Sequence, residues 1–307
     1  MKQTIFTILL ITAIGFISCR KAQVEPGIKE YDQSQIQSYI TTNGITGMKR
    51  DTVGGDTSGI YYQVILPGTS TGYQYTDSIS LVYTIRSFDG LYSSLDTTYN
   101  HVADFAGHIT SRGFPAGLQL IVHDVLKRGG SMRVLIPSRL AYGIKGNGSG
   151  SSSLTNSRIA GNQCLDYYIH AINNQNAYDD LVLTNYFAAN NITGYQKTPS
   201  GLYYKILTPS TGTTPITNNT TVTITYTVSL LNGHIFDQFN TADGSGTPFE
   251  IPNMIAGVRE AMQNYAKTGS VISLYMPTRL AYGSTAVSST PQYSCMKFDF
   301  AVVSTNP

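Results

Sequence analysis

The sequence is poor in charge and contains no tryptophan. Only 12% of its 307 residues are Asp, Glu, Lys or Arg, and the formal net charge is +2. A chain so close to neutrality offers no strongly basic or acidic surface for nucleic acid or anionic lipid headgroups, so we expect neither as a partner. Apolar residues make up 41% of the chain and are dispersed along it, which is typical of globular protein.

Motifs that would support several common enzyme classes are also missing. The sequence has no metal-ligand cluster, no nucleophile-elbow motif and no glycine-rich phosphate loop. Of the five histidines, His101, His123, His170 and His234 are scattered, and we assign none of these four a ligand or acid–base role. We therefore expect neither a metal nor a cofactor.

Long apolar runs are absent except at the N-terminus, where one extends from Ile5 to Ile17 after Lys2. The run is too short to span a bilayer comfortably, so a retained membrane helix is the weaker interpretation. Ser18-Cys19 closes a segment that resembles a relaxed bacterial lipobox, in which the cysteine is lipidated; the alternative is a plain secretory signal. We predict a lipoprotein signal peptide over 1–18 and a tether over 19–30.

Only two cysteines, Cys164 and Cys295, remain once Cys19 is set aside. A pair of cysteines in an exported protein raises the possibility of a disulfide. The repeat described next places them at the same position of two separate domains. We therefore expect two small buried apolar residues rather than a bridge.

The sequence contains one unit twice. "PSRLAYG" at 137–143 returns as "PTRLAYG" at 277–283, "SGIYYQVI" at 58–65 as "SGLYYKIL" at 200–207, and "ISLVYTI" at 79–85 as "VTITYTV" at 222–228. The order is kept while the offset falls from 147 residues at the start of the unit to 131 at its end. Duplication followed by changes in loop length explains this pattern, and it predicts domains at 31–172 and 178–305, joined by a linker at 173–177.

Each unit has the pattern of an α+β domain. Thr, Tyr, Val and Ile dominate most segments and favour strands. Asp32 and Asp179 each suit the start of a short leading helix. One amphipathic helix follows in each unit, with its apolar stripe beginning at Leu118 in the first and at Met254 in the second. We predict an antiparallel sheet with one helix packed across it.

The second unit resembles the FKBP-type peptidyl-prolyl isomerases, a family built as an antiparallel sheet wrapped round one helix. The residues that carry the resemblance are "YTVSLLNGHIFDQF", "TPFEIPNMIAGVREAM", "LYMPTRLAYG" and "MKFDFAVV", in the family's order. The resemblance implies a prolyl pocket lined by Tyr226, Phe236, Asp237, Phe249, Met254, Ile255, Val258, Tyr282 and Phe298. Val258 is a departure, because the family usually places a tryptophan there as the pocket floor.

The resemblance also implies roles for four of these residues. Phe236, with the other aromatic side chains, would supply a dry wall that favours a twisted, poorly hydrated amide. The backbone N–H of Ile255 and the hydroxyl of Tyr282 would donate hydrogen bonds to substrate carbonyls. Asp237 would hold a buried carboxylate that polarises the site without acting as a general base.

The first unit departs further from the family. The pocket positions implied there are Tyr83, Phe105, Phe114, Leu118, Tyr142 and Tyr167. Strict register would place Ser93 and Ser94 where Phe-Asp belongs, but "LDTTY" is similar to the family's F-D-S-S-Y and favours Leu95-Asp96 instead. The Gly/Ser-rich insert "KGNGSGSSSLTNS" predicts a mobile, altered rim over this pocket.

These observations predict a lipid-anchored isomerase of the bacterial cell envelope, in the outer membrane or periplasm. It would assist the folding of proline-containing envelope or secreted proteins, with the second domain the active unit and the protein a monomer. Two alternatives use the same fold without turnover: a peptide-binding or chaperone module, and a structural envelope lipoprotein.

Overall fold

The computed structural model describes residues 27–53, 57–69, 71–287 and 289–306. Cys19, the signal peptide and most of the predicted tether lie outside these residues. Within the described part of the chain, no helix is long and apolar enough to cross a membrane.

The first domain holds one antiparallel sheet and two α-helices. Its helices are α1 (Ile28–Thr42) and α2 (Ala116–Asp124). Its strands are β1 (Lys49–Arg50), β2 (Tyr61–Leu66), β3 (Ser78–Ser87), β4 (Ser93–Ser94), β5 (His101–Phe105), β6 (Ser131–Ile136) and β7 (Leu165–Ala171). They run in the order β1-β2-β6-β7-β3, and β3 also pairs with both β4 and β5.

The second domain repeats this arrangement. Its helices are α3 (Gln175–Ala189) and α4 (Ala256–Tyr265). Its strands are β8 (Gln196–Lys197), β9 (Tyr203–Thr208), β10 (Thr221–Leu230), β11 (Ile235–Phe239), β12 (Thr247–Glu250), β13 (Val271–Met276) and β14 (Met296–Asn306). The order is β8-β9-β13-β14-β10, with β10 pairing β11 and β12, so the predicted α+β class is confirmed twice.

Each domain buries the apolar stripe of its central helix against the sheet. Leu118, Ile121 and Val122 of α2 are fully inaccessible to solvent, and in α4 Val258 and Met262 occupy the same stripe. Full burial of such a side chain contributes about 1.5–3 kcal/mol. This packing fixes the N-terminal end of each helix next to the sheet, where a cavity opens.

The leading helices begin earlier than the sequence predicted, and their aspartates do not cap them. α3 starts at Gln175, inside the predicted linker, and its cap is Asn174, whose side chain accepts from the Ala177 N–H. Asp179 is buried within the helix. Its carboxylate accepts from the N–H and the hydroxyl of Thr278, at 2.9 and 2.6 Å.

Asp32 makes the corresponding contact in the first domain, accepting from the Arg139 N–H at 3.2 Å. Thr278 and Arg139 lie in the repeated P-[ST]-R-L-A-Y-G phrase, directly after β13 and β6. Each leading helix therefore ties down the loop that carries Tyr282 or Tyr142. The two carboxylates therefore bond to the short 3-10 turns Ser138–Leu140 and Thr278–Leu280, not to the starts of the helices on which the aspartates lie.

The two cysteines confirm the expectation of buried, unpaired thiols. Cys164 and Cys295 are both free and buried. Burial, reinforced by Asp32, raises the pKa of Cys164 to about 12, and burial raises that of Cys295 as well. Neither thiol is ionised near neutral pH, so neither is a reactive nucleophile.

The domains meet at a small aromatic contact centred on His101 of β5. Its ring stacks on Tyr293 of the second domain, with centroids 4.7 Å apart, and its Nε2 lies 2.7 Å from the Ser80 hydroxyl. Tyr178 of α3 meets the same ring edge-on. Burial lowers the pKa of His101 to about 4, so the ring is neutral at physiological pH.

Candidate functional site

The second domain contains an apolar cavity of about 190 Å³ at the N-terminal end of α4. Strand β10 supplies one wall, β12 and β14 supply two more, and α4 closes the floor. The lining residues are Ile224, Tyr226, Val228, Asp237, Phe249, Asn253, Met254, Ile255, Val258, Tyr282 and Phe298. They include eight of the nine residues predicted for this pocket.

Phe236 is the ninth, and it does not line the cavity. The β10–β11 ladder is irregular here: Val228 pairs with Asp237 and Ser229 with Ile235, so Phe236 is the extra residue of a β-bulge. The Phe236 ring nevertheless packs at the rim, with its centroid 6.4 Å from that of Tyr282.

Aromatic rings make the cavity walls rigid. Tyr226 stacks on Phe298 at 5.6 Å between centroids, with an interplanar angle of 11°, and meets Phe249 edge-on at the same distance. Val258, which is 2% exposed, forms the floor from the first turn of α4. A tryptophan at that position would fill part of the space that the valine leaves open.

Asp237 and two tyrosines provide the polar groups of the cavity. The Tyr226 hydroxyl donates to Asp237 Oδ2 at 3.1 Å. Burial, and to a lesser extent this hydrogen bond, raises the pKa of Tyr226 to about 12. Burial and the nearby Asp237 charge also raise the pKa of Tyr282. Both phenols are therefore protonated donors at neutral pH. Contrary to the prediction, Asp237 is exposed at the cavity mouth rather than buried.

Two hydrogen-bond donors remain free at this cavity. Ile255 precedes α4 with φ −60° and ψ 151°, and its N–H has no acceptor among the described residues. The Tyr282 hydroxyl likewise has no hydrogen-bond partner in the described part of the chain. The helix dipole adds positive potential at the Ile255 N–H, so a carbonyl oxygen placed there would be held by charge as well as by hydrogen bonding.

The first domain has a cavity of similar size, about 180 Å³, at the equivalent place. We call it the first-domain cavity. Four of the predicted residues, Tyr83, Phe114, Tyr142 and Tyr167, line it. The other lining residues are Ile85, Tyr92, Ser94, Asn100, Arg112, Gly113, Asn147 and Ile159.

Asp96 is not the counterpart of Asp237. On β10, Val228 pairs with Asp237, and on β3 the equivalent Ile85 pairs with Ser94. Strict register therefore holds, and the similarity of "LDTTY" to the family motif was misleading. Asp96 instead accepts a hydrogen bond from Asn232 of the second domain, at 2.9 Å.

Phe105 and Leu118 also lie away from the cavity. Phe105 pairs with Ser78 on β3. The residue of β10 equivalent to Ser78 is Thr221, which pairs with Glu250 and not with Phe249. A shift of one residue turns a side chain to the opposite face of a strand, and the Phe105 ring is accordingly exposed. Leu118 is fully buried in the core below the cavity.

Two further differences between the cavities were missed from the sequence. Pro115 precedes α2 as Ile255 precedes α4, with φ −63° and ψ 147°, so the first domain lacks that N–H donor. Tyr167 pairs with Ile85 where Phe298 pairs with Val228, which adds a hydroxyl to the cavity. Aligning "FPAGL" with "MIAGV" at the helix start would have revealed the proline.

The Gly/Ser-rich insert is fastened to the rim of the first-domain cavity. Asn147 and Ile159 form an antiparallel bridge across its base. The Asn156 side chain accepts from the Ser93 N–H at 2.7 Å, and the Asn156 N–H donates to the Leu91 carbonyl. The rim is altered, as predicted, and these bonds hold it beside β4. Among the residues described, no three metal-ligating side chains cluster here or elsewhere.

Comparison with known proteins gives matches for the second domain. Residues 212–303 match the family model of FKBP-type peptidyl-prolyl cis-trans isomerases. The chain is 39% identical over 89 residues to "Outer membrane protein MIP" of Legionella longbeachae, covering 29% of this chain and 37% of that protein. It is 36% identical over 111 residues to a probable FKBP-type peptidyl-prolyl cis-trans isomerase of Haemophilus influenzae, covering 36% and 45%.

Among solved structures, FkpA from Escherichia coli is similar, with a TM-score of 0.38 and 27% identity, covering 43% of this chain and 61% of that one. The chain spans less than half the length of the two curated relatives named above.

Proposed function

Because the chain belongs, through residues 212–303, to the FKBP-type peptidyl-prolyl cis-trans isomerase family, we propose that its second domain catalyses rotation about X-Pro bonds in polypeptides. The observation that carries the proposal is the apolar cavity whose two unpartnered donors are the Ile255 N–H and the Tyr282 hydroxyl. A prolyl ring would occupy the aromatic walls, and the two donors would hold the neighbouring carbonyls.

The chemistry needs no nucleophile. Rotation about a peptide bond meets a barrier of about 18–20 kcal/mol because the C–N bond has partial double-bond character. An enzyme lowers the barrier by binding the twisted amide more tightly than the planar isomers, and about 1.4 kcal/mol of differential binding gives a tenfold rate increase. Apolar walls exclude water that would stabilise the planar, charge-separated amide.

We assign the activity to the second domain rather than the first. The first-domain cavity has Ser94 in place of Asp237, Pro115 in place of Ile255 and Tyr167 in place of Phe298. These changes remove a carboxylate and an N–H donor and make the wall polar. A prolyl ring gains less from such a surface, because apolar burial is the main source of its binding energy.

A prolyl-peptide assay on the full chain tests the proposal. We expect acceleration of cis-trans exchange in a short X-Pro peptide, reduced about fivefold in Tyr282→Phe because one hydrogen bond is worth about 1 kcal/mol. Tyr99→Phe, which removes the hydroxyl of an exposed tyrosine, is the control and should keep full activity. Absence of acceleration in a folded chain would contradict the proposal.

The second candidate function is peptide binding without turnover, and Val258 favours it. A small floor residue leaves space beneath the prolyl ring, so binding would be less selective for the twisted amide. Titration of the same peptide by NMR distinguishes the two: binding with unaltered exchange rates between its cis and trans signals would identify a binding module.

We further propose that the chain is exported and lipid-anchored at Cys19 in the bacterial envelope. The support is the N-terminal segment and the name of the Legionella relative, an outer membrane protein. Expressed in a bacterium fed labelled palmitate, the chain should incorporate label, and Cys19→Ala should not, whereas Cys164→Ala should. Equal labelling of the Cys19→Ala variant would exclude this anchor.

A further inference from the structure

The first-domain cavity is rich in hydrogen-bond donors. Tyr83 and Tyr92 line it, and neither hydroxyl has a partner among the described residues. Tyr142 also lines the cavity, next to Tyr167 and Asn147. Its hydroxyl can likewise donate a hydrogen bond to a ligand in the cavity.

The amide and aliphatic hydroxyl acceptors of the same cavity are already engaged. Ser94 and Asn100 satisfy each other: the Ser94 hydroxyl donates to Asn100 Oδ1 at 3.0 Å, and Asn100 Nδ2 donates back at 2.8 Å. The Asn147 oxygen accepts from the Gly148 N–H. No aspartate or glutamate is among the lining residues.

The charges around the cavity also favour a ligand that accepts hydrogen bonds. Arg112 stands at its rim and pairs with Asp104, which lies outside the lining. Burial raises the pKa of Tyr83 to about 12 and raises that of Tyr142, so both remain protonated donors across the neutral range. The second-domain cavity differs, because the Asp237 carboxylate stands at its mouth.

We propose that the first-domain cavity binds a carboxylate group. Three phenol hydroxyls that can turn their O–H groups toward one ligand, in a cavity lined by no carboxylate, match an anion that only accepts hydrogen bonds. A neutral sugar would form only the weaker hydrogen bonds between neutral groups, and a phosphate dianion needs more positive charge than one neutralised arginine supplies. The carboxylate belongs either to the end of a polypeptide or to an acidic side chain, and both would present the same two oxygens.

Titration of the full chain, with labelled tyrosine observed by NMR, tests this site. Acetate should shift the Tyr83, Tyr92 and Tyr142 signals saturably and bind at least tenfold more tightly than acetamide or a methyl pyranoside. Tyr142→Phe should weaken acetate binding about tenfold, since a hydrogen bond to a charged group is worth about 1.5–3 kcal/mol. Tyr282→Phe, the matched position of the second domain, should leave acetate binding unchanged.

A second variant, Tyr92→Phe, tests the same site in case Tyr142→Phe does not fold. The Tyr92 hydroxyl bonds to no described residue, so Tyr92→Phe should keep the fold and still weaken acetate binding. Equal affinity for acetate and acetamide, preference for the sugar or for inorganic phosphate, or unchanged acetate binding in both variants would overturn the proposal.

Two short peptides then identify the source of the carboxylate. One has a free C-terminus and no acidic side chain, and the other is amidated and contains one glutamate. The peptide that binds more tightly identifies the source, provided that its affinity exceeds that of an amidated peptide with glutamine in place of glutamate. If neither peptide binds more tightly than that control, the site does not recognise carboxylates on polypeptides, and the proposal is wrong for polypeptide ligands.

Discussion

Ile255→Pro will lower kcat/KM of the full chain for an X-Pro peptide by about ten- to a hundredfold, because a lost donor to a carbonyl costs on the order of 1–3 kcal/mol. The substitution deletes one N–H and fits the backbone. Ile255 has φ −60°, within the range of proline, and the preceding Met254 has ψ 151°, as a residue before proline prefers. The first domain already holds Pro115 at the same place with nearly the same angles.

The control separates the N–H from the side chain. Ile255→Ala keeps the donor and removes the apolar contact, so it should cost less activity than the proline variant. Thermal unfolding should show that Ile255→Pro keeps its melting temperature. Full activity in Ile255→Pro would mean that this N–H does not bind the substrate, and equal losses in both variants would assign the effect to the side chain.

The second large effect concerns the histidine at the domain contact. Because of it, the free energy of unfolding of the chain should fall by about 3 kcal/mol between pH 6.5 and pH 4. Burial lowers the pKa of His101 from 6.5 to about 4 in the folded chain. Between these values the unfolded state binds a proton that the folded state does not, so acidification favours unfolding. The contribution is complete above pH 6.5 and disappears as the pH falls toward the folded pKa.

Chemical denaturation at pH 7.5 and pH 4.5 measures this effect. Because carboxylates titrate in the same window, the informative quantity is the change in unfolding free energy relative to a variant. His101→Phe keeps a ring against Tyr293 and should lose less stability on acidification than the parent chain. His234→Phe replaces an exposed histidine and should behave like the parent. Identical pH dependence in the parent and His101→Phe would contradict the assignment.

The second-domain cavity was almost entirely predictable because its residues lie in short segments of fixed geometry. The resemblance placed Tyr226 on a strand and Ile255 and Val258 at the start of one helix, whereas the lining residues Ile224, Val228 and Asn253 were not predicted. Each such inference needs only local spacing. Phe236 shows the limit, since it lies at a β-bulge that the spacing of the motif does not reveal.

The first domain was harder because strand register competes with motif similarity. "LDTTY" looks like the expected segment, yet the β3–β4 ladder places Ser94 opposite Ile85. Phe105 was misplaced by a single residue for the same reason. Ladder register depends on turn length and on partners distant in sequence, and it is visible only once the strands are paired.

Asp32 and Asp179 illustrate a different limit. Both have the composition and position of helix caps, but their partners are 107 and 99 residues away along the chain. A side chain that can satisfy its own helix can equally satisfy another element, and the sequence does not distinguish the two. Burial decided the outcome, because both carboxylates lie inside the fold.

The tie between the leading helix and the loop after β13 also identifies what was duplicated. The unit is not the sheet with its central helix alone, because without α3 the Thr278 N–H and hydroxyl would lose the buried carboxylate they share. A copy that began at Tyr178 would still contain Asp179 but would lack Asn174, the cap of α3, and Gln175, whose amide holds Asp179 in place at 2.8 Å. The repeated unit therefore includes its leading helix, which starts at Ile28 in the first copy and at Gln175 in the second, and the segment between the domains contains the first turn of α3.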